Sequence, residues 1–111
     1  MPKANIFPIF FDAEPVALSA DQTSYNAASS HIRLGTGVDV TLNDAVSVGT
    51  CINFFCTDST ADATVTFVTP AGGTSKKKLT FAAAYDAATV IWTANGWRVV
   101  NMTATTSIGT V

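Results

Sequence analysis

The residue types that could support catalysis in this sequence centre on a single histidine. His31 directly follows Ser29 and Ser30, and serine beside histidine is the pairing that nucleophilic catalysis uses when a carboxylate orients the ring. The alternation of apolar and polar residues, however, places His31 on the outward side of a short strand, as a lone histidine without a defined acidic partner. One histidine in that position does not make a triad. We therefore predict no catalytic residue and no enzymatic activity.

Candidate metal ligands are too few and are wrongly spaced. Asp58 and Asp62 flank an expected turn, but the stretch between them lacks the alternating acidic residues and the glycine of a calcium loop. Cys51 and Cys56 lie in one expected strand, roughly 16 Å apart and beyond the reach of a disulfide. The single histidine, His31, leaves too few ligands for zinc. We predict no metal and no cofactor, and two free thiols that fit a reducing cytoplasm.

Two groups of residues could bind a ligand or a charged partner. Trp92 and Trp97 could form a stacking platform for a sugar, although a pair of tryptophans in a hairpin more often belongs to a core. Residues 76–78 are three consecutive lysines, which usually form a solvated strand edge that resists pairing with other chains. The alternative is that these lysines contact an acidic surface on a larger assembly. The sequence leaves both interpretations open.

The overall composition predicts a surface that few charges protect. Charged residues make up 13% of the 111 residues, against about 25% in typical globular domains. A surface with few charges and many threonines is poorly protected against association, so we expect neighbouring molecules to cover part of it. The net charge of −2 argues against the basic face of a nucleic-acid-binding protein. Because the longest apolar run, residues 6–11, is too short to span a bilayer, we predict no membrane partner either.

The clearest element that could position these side chains is a hairpin around Asn95-Gly96. This dipeptide is typical of a two-residue type I′ turn, in which both central residues have positive φ. Strand residues that face each other across such a turn can be read directly from the sequence. The expected pairs are Ala94 with Trp97, Trp92 with Val99, and Val90 with Asn101.

The two sides of this hairpin differ in character. One side is apolar and is expected to pack on a second sheet, because it carries Val90, Trp92, Trp97 and Val99. The other side is half apolar and is our candidate for contact with another copy of the chain; its residues are Ile91, Arg98, Val100 and Met102. The full set of predicted core residues is Val40, Leu42, Ile52, Phe54, Val65, Phe67, Trp92, Trp97 and Val99.

Residues 1–20 differ from the rest of the chain and are predicted to form an extended N-terminal arm. Prolines at positions 2, 8 and 15 disfavour both a helix and a central strand. The arm nevertheless carries apolar side chains that should not face water, namely Ile6, Phe7, Ile9, Phe10 and Phe11. We expect them to dock either on the sheet of the same chain or on a neighbouring subunit, and both alternatives remain open.

The spacing of apolar residues predicts an all-β fold. Short strands separated by turn residues at intervals of roughly 8–12 residues, with no significant helix, indicate an antiparallel β-sandwich or jelly roll. We assign the sandwich to residues 21–102, and residues 103–111 to a polar C-terminal tail that could include a last edge strand. Residues 50–57 are apolar on both sides and should form a central strand covered on both faces.

Two stretches of the sequence carry a resemblance to a known family. Residues 40–50, VTLNDAVSVGT, precede Ile52-Asn53-Phe54-Phe55, and residues 89–92, TVIW, precede NGWRVV at residues 95–100. This arrangement resembles small β-structured virion proteins of tailed bacteriophages, in which a V-x-L…A-x-x-V-G-x-x-x-x-F segment comes before a closing V-x-x-x-W…x-G-W-x-V hairpin. The likeness covers residues 30–101. Within that group the chain is most similar to a capsid decoration, or cement, protein.

The resemblance implies a structural protein that is made in the bacterial host cytoplasm and located on the capsid surface of the virion. Its implied partners are further copies of itself, in a homotrimer of sandwich domains, and the lattice of the major capsid protein, which terminal arms would help to hold. The alternative is a tail-fibre module that binds a carbohydrate or a receptor. Such a module would present aromatic side chains at loop ends, and the expected loops at residues 35–37 and 70–75 contain none.

Overall fold

A computed structural model describes residues 15–27, 29–103 and 105–110 and contains ten strands and one short 3-10 helix. None of the helical structure in these ranges has the length and apolar character that a membrane crossing requires. The strands are β1 (Val16–Leu18), β2 (Gln22–Tyr25), β3 (His31–Leu34), β4 (Asp39–Leu42), β5 (Cys51–Cys56), β6 (Ala63–Phe67), β7 (Lys78–Phe81), β8 (Ala87–Thr93), β9 (Gly96–Met102) and β10 (Thr106–Gly109), and the 3-10 helix is Thr74–Lys76.

The strands form two five-stranded sheets that enclose one core. The first sheet has the order β1-β3-β5-β8-β9, and the second has the order β10-β7-β6-β4-β2. The predicted all-β, sandwich-like fold is confirmed. The strand pairing, however, is mixed rather than antiparallel, because the pairs β1-β3, β3-β5, β2-β4 and β4-β6 are parallel. The remaining four pairs, β5-β8, β8-β9, β6-β7 and β7-β10, are antiparallel.

The parallel pairs arise because the first six strands alternate between the two sheets. β1, β3 and β5 lie in the first sheet and β2, β4 and β6 in the second, so that successive strand pairs stack as turns of a short coil. The connections at one end of the coil bind each other: Gly37 N–H donates to Ala61 O at 3.0 Å, and Ala61 N–H donates to Thr36 Oγ1 at 2.7 Å. The φ of +68° at Gly37 is a conformation that glycine adopts without strain.

The core lies between the sheets and is built from alternating strand positions. In β4, for example, Val40 and Leu42 are buried whereas Asp39 is exposed. Trp92 and Val99 are only partly buried, and they pack against the core from the β8–β9 hairpin. The other predicted core residues have at most 1% of their surface exposed; they are Val40, Leu42, Ile52, Phe54, Val65, Phe67 and Trp97.

β5 occupies the middle of the first sheet, between β3 and β8. Its side chains Ile52, Phe54 and Cys56 point into the core and are buried. On the outward side Cys51 is exposed and Phe55 is half-buried. The expectation that both faces of this strand are covered is therefore not met by the residues that the structure describes.

Both ends of the sandwich extend past the predicted boundaries of residues 21–102. Val16–Leu18, which we assigned to the arm, forms β1 and pairs with β3. Thr106–Gly109, in the predicted tail, forms β10 and pairs with β7. The predicted arm is thus too long, whereas β10 is the last edge strand that the predicted tail could include. The apolar arm residues Ile6, Phe7, Ile9, Phe10 and Phe11 lie outside the described part of the chain.

Candidate functional site

The β8–β9 hairpin turns one residue earlier than the sequence predicts. Thr93 pairs with Gly96, so Ala94 and Asn95 are the two central residues of the turn. Neither has the positive φ of a type I′ turn, because Tyr85 is the only described non-glycine residue with φ above zero. The Thr93 hydroxyl closes the turn instead: it donates to Gly96 O at 2.8 Å and accepts from Asn95 N–H at 3.1 Å.

The earlier turn changes the pairs across the hairpin but not their side of the sheet. Trp92 pairs with Trp97 and Val90 with Val99, which corrects the predicted pairing of Trp92 with Val99 and of Val90 with Asn101. Between the turn and the bulge at residues 89–90 the register differs by two residues, and an even shift leaves the side chains of this stretch on the side where they were expected. Val90, Trp92, Trp97 and Val99 therefore share the core-facing side.

Gly96 is required by a close contact between the hairpin and the β6–β7 connection. A Cβ atom at this position would lie 2.5 Å from Thr69 O and 2.9 Å from Ala71 N, and the φ of +125° also favours glycine. The next residue continues the contact, because Trp97 N–H donates to Thr69 O at 2.9 Å and Trp97 O accepts from Ala71 N–H at 2.8 Å. The hairpin of the first sheet is thereby fixed to a connection of the second.

Trp97 joins the two sheets through its side chain as well. Its ring is fully buried, lies 6.4 Å from the Phe67 ring in a stacked arrangement, and meets Trp92 edge-on at 5.3 Å between ring centroids. Its indole N–H donates to Asn43 O at 3.0 Å, in the β4–β5 connection. Because a ring without exposed surface cannot stack on a sugar, Trp97 belongs to the core, and the half-buried Trp92 packs against that core.

The face predicted for contact with another copy is divided by a bulge in the hairpin. Ile91 and Arg98 pair on the outward side of the first sheet. The register then shifts, and Met102 pairs with Ala88, which is a buried core residue. Paired residues share a side, so Met102 lies on the core-facing side and not with Ile91, which corrects the prediction. Val100 lies at the bulge and is 56% exposed.

Beyond the bulge, β9 forms one wall of an open cleft that we did not predict. This β9 cleft has a volume of about 510 Å³, and the β6–β7 connection and β10 complete its lining. Two exposed cations, Lys76 and Arg98, contribute to its rim. Its main apolar residues are Trp97, Val99, Met102 and Ile108. The sequence offered one signal of this cleft, an isoleucine within the otherwise polar stretch of residues 103–109.

The residues around His31 bind the backbone rather than each other's side chains. His31 N–H donates to Ser29 Oγ at 3.2 Å, and the Ser29 hydroxyl is 3.2 Å from His31 O, to which it donates. The neighbour of His31 on β5 is Asn53, and the exposed side chain of Arg33 follows on the same outward side. The structure thus assembles no serine–histidine pair at this position.

Asp86 is a buried carboxylate that we did not predict. It accepts hydrogen bonds from the backbone N–H groups of Ala82 at 3.1 Å and Ala83 at 3.0 Å, and from the hydroxyls of Thr103 at 2.8 Å and Thr105. Burial by itself raises the pKa of this carboxyl, but the four hydrogen bonds outweigh burial and lower the pKa below its usual value. Asp86 therefore ties the β7–β8 connection to the β9–β10 connection as an ionised group.

The two cysteines are free thiols on opposite sides of β5. Cys51 is exposed, whereas Cys56 is buried and donates to Ala83 O at 3.2 Å. Burial raises the pKa of the Cys56 thiol, which makes it unreactive as a nucleophile. Asp58 accepts two hydrogen bonds from Thr60, at 2.9 Å and 2.8 Å. In residues 15–27, 29–103 and 105–110, no group of three or more His, Cys, Asp or Glu side chains could hold a metal ion.

Comparison with known proteins adds no relative. No protein-family model matches this chain, and no curated protein matches it in sequence. The observations that bear on function are therefore the described surface and the resemblance carried by residues 40–55 and 89–100.

Proposed function

We propose that this chain is a structural protein of a tailed-bacteriophage virion, which decorates the capsid and stabilises it by non-covalent contacts. The observation that carries the proposal is a set of large apolar side chains exposed on the sandwich. Val46 is fully exposed, and Val48 and Val100 have 70% and 56% of their surface exposed. Val46 and Val48 lie together in the β4–β5 connection. Neighbouring exposed apolar side chains are typical of a site that another molecule covers, because the transfer of apolar surface out of water is favourable.

The low charge of the sheet surface supports the same proposal. On the outward side of the second sheet, Thr41 pairs with Thr66 and Thr64 with Thr80, and the charged neighbours of these pairs are one acid, Asp39, and one base, Lys78. Such a surface offers many weak contacts and little electrostatic repulsion between copies. On a capsid, where identical sites repeat, weak contacts are multiplied by avidity.

The partners in this proposal are further copies of the chain, as a homotrimer, and the lattice of the major capsid protein. The apolar arm residues Ile6, Phe7, Ile9, Phe10 and Phe11 supply additional contact area outside the sandwich. Each contact would contribute about 25 cal/mol per Å² of buried apolar surface, before the cost of ordering the partners.

The proposal is tested by the double substitution Phe10→Ser and Phe11→Ser. Removing two aromatic side chains from the arm should lower the number of copies bound per capsid several-fold, because two of its five large apolar side chains are lost. The number of copies is measured by mixing the chain with undecorated capsids and weighing the purified particles by native mass spectrometry. The matched control is Phe10→Leu with Phe11→Leu, which keeps the arm apolar and should bind nearly as well as the parent.

Two results would contradict decoration. One is absence of binding of the parent chain to undecorated capsids; the other is an unchanged copy number for the serine variant. Circular dichroism and thermal unfolding of all variants would show that the sandwich itself is intact, since the substituted residues lie outside β1 to β10.

One observation favours the alternative of a receptor- or carbohydrate-binding module. Tyr85 is 76% exposed at the turn between β7 and β8, and its φ of +65° is uncommon for a bulky residue. Strained residues that present an aromatic ring at a loop end are found at binding sites. A chain that bound glycans through Tyr85 but did not bind capsids would favour this alternative in the same experiment.

A further inference from the structure

We propose that the β9 cleft binds residues 6–11 of a second copy of this chain. The inference rests on the proposed structural role, in which copies of the chain meet, and it identifies a partner for the surface around β9. The cleft combines apolar side chains from β9 and β10 with the cations Lys76 and Arg98. Its occupant should therefore be an apolar segment that carries negative charge at one end.

Residues 6–11 match that description in both respects. The sequence IFPIFF contains five large apolar residues, and Asp12 and Glu14 follow directly after it. Inside the cleft the apolar side chains would contact Val99, Met102 and Ile108, while the two carboxylates would approach the two cations at the rim. The rest of the arm carries one charge only, at Lys3.

The open edge of β9 adds a second point of attachment. β9 is the last strand of the first sheet, and among the described residues only Pro70 bridges its outer edge, at Trp97. Backbone groups at an unpaired sheet edge can hydrogen-bond to an extended segment of another chain. Pro8 interrupts residues 6–11 and removes one donor, which limits such pairing to a short stretch.

The distance between the two edges of the first sheet favours the arm of another copy over the arm of the same chain as the source of these charges. Successive strand pairs connect Val16 with Ile32, Phe54, Ala88 and Met102, so Val16 and Met102 lie at the same level on opposite edges. Four strand spacings separate them, or about 19 Å. Fully extended, Glu14 can lie about 7 Å and Asp12 about 14 Å from Val16. The Cα atoms of both acidic residues therefore fall short of Met102 in their own chain, even with the arm fully extended toward it.

The same geometry determines the type of contact between copies. The arm leaves the sandwich at the β1 edge, and the cleft lies at the opposite, β9 edge. Binding therefore joins different surfaces of the two copies, which is a heterologous contact. Such contacts close into a ring when the rotation between copies allows it, and a ring of three would give the trimer that the resemblance implies.

The experiment exchanges charges between the arm and the cleft in the full-length chain. The cleft variant is Lys76→Glu with Arg98→Glu, the arm variant is Asp12→Lys with Glu14→Lys, and the third variant carries all four substitutions. The solution mass of each is measured by analytical ultracentrifugation across a concentration series without capsids. We expect each reversal alone to weaken self-association about a hundredfold, because like charges then face each other, and the fourfold variant to recover it.

Arg33→Glu is the matched control, since Arg33 is an exposed cation of the first sheet outside the cleft. It should leave self-association unchanged. The inference is overturned if the parent is monomeric at all concentrations, if the cleft variant associates like the parent, or if the fourfold variant remains as weak as the single reversals. Thermal unfolding shows whether each variant is folded. Because no capsid is present, failure here leaves the copy number on capsids as a separate test of decoration.

Discussion

The buried carboxylate of Asp86 makes the stability of this fold depend on pH. Its folded-state pKa is lowered by four hydrogen bonds that exist only in the native structure. The stabilisation is therefore fully present above the unfolded-state pKa of about 3.9 and is lost as the pH falls through the lower, folded-state value. We expect Asp86→Asn to lower the free energy of unfolding at pH 7 by about 1–3 kcal/mol, because an amide accepts fewer hydrogen bonds and carries no charge. The variant should therefore unfold at a lower denaturant concentration than the parent.

The pH dependence separates this role from a general loss of packing. The difference in unfolding free energy between the parent and Asp86→Asn should be constant from pH 5 to pH 8 and should shrink below pH 4. Urea unfolding at each pH measures it, and Asp44→Asn, at an exposed carboxylate, is the control. A difference that stayed the same down to pH 2 would show that ionisation of Asp86 contributes nothing.

Gly96 provides the second test at the scale of a residue. In Gly96→Ala the new Cβ would collide with Thr69 O, so the contact between the hairpin and the β6–β7 connection has to open. We expect a loss of roughly 2 kcal/mol or more in chemical denaturation. Gly49→Ala is the control, because Gly49 also has positive φ, of 95°, but nothing lies within 4 Å of its Cβ position. Equal losses in the two variants would attribute the effect to φ alone.

At the scale of the strand, local alternation was sufficient for β3, β4 and β6 but not for β2. Val40 and Leu42 were placed correctly because apolar and polar residues alternate strictly there. β2, with the sequence QTSY, has no such alternation, since three of its four residues are exposed or half-exposed polar side chains. Its sequence therefore gives no signal of a strand, although β2 pairs with β4.

The hairpin shows what a turn signal can and cannot predict. Asn95-Gly96 predicted two antiparallel strands and the correct core-facing side, because those depend only on the approximate position of the turn. The register depended on a contact that is remote in sequence, the approach of Gly96 to Thr69. The position of Met102 depended on a bulge, which local alternation does not reveal.

At the scale of the whole molecule, the β9 cleft could not be predicted because its walls come from three separate parts of the chain. Lys76, Met102 and Ile108 become neighbours only when the first sheet packs on the second. Parallel pairing could not be predicted for a related reason. Local alternation indicates which side of a sheet a residue faces, but it does not indicate which strand lies beside it. Asp86 was missed for the same reason, because two of its four hydrogen bonds come from residues 103 and 105, which are remote in sequence.

The alternation of the first six strands between the sheets also has a kinetic consequence. Neither sheet can assemble from a continuous segment, since the first needs β1 together with β9 and the second needs β2 together with β10. The chain must therefore close several long loops before its contacts stabilise it, which gives a high contact order. We expect refolding to take milliseconds to seconds, as a single phase in the combined fluorescence of Trp92 and Trp97. Refolding within microseconds would require a nucleus of local contacts, which this order of strands does not offer. Until residues near 109 have been synthesised, the apolar side chains of both sheets remain without their full cover, and a nascent chain in that state is open to association with its neighbours.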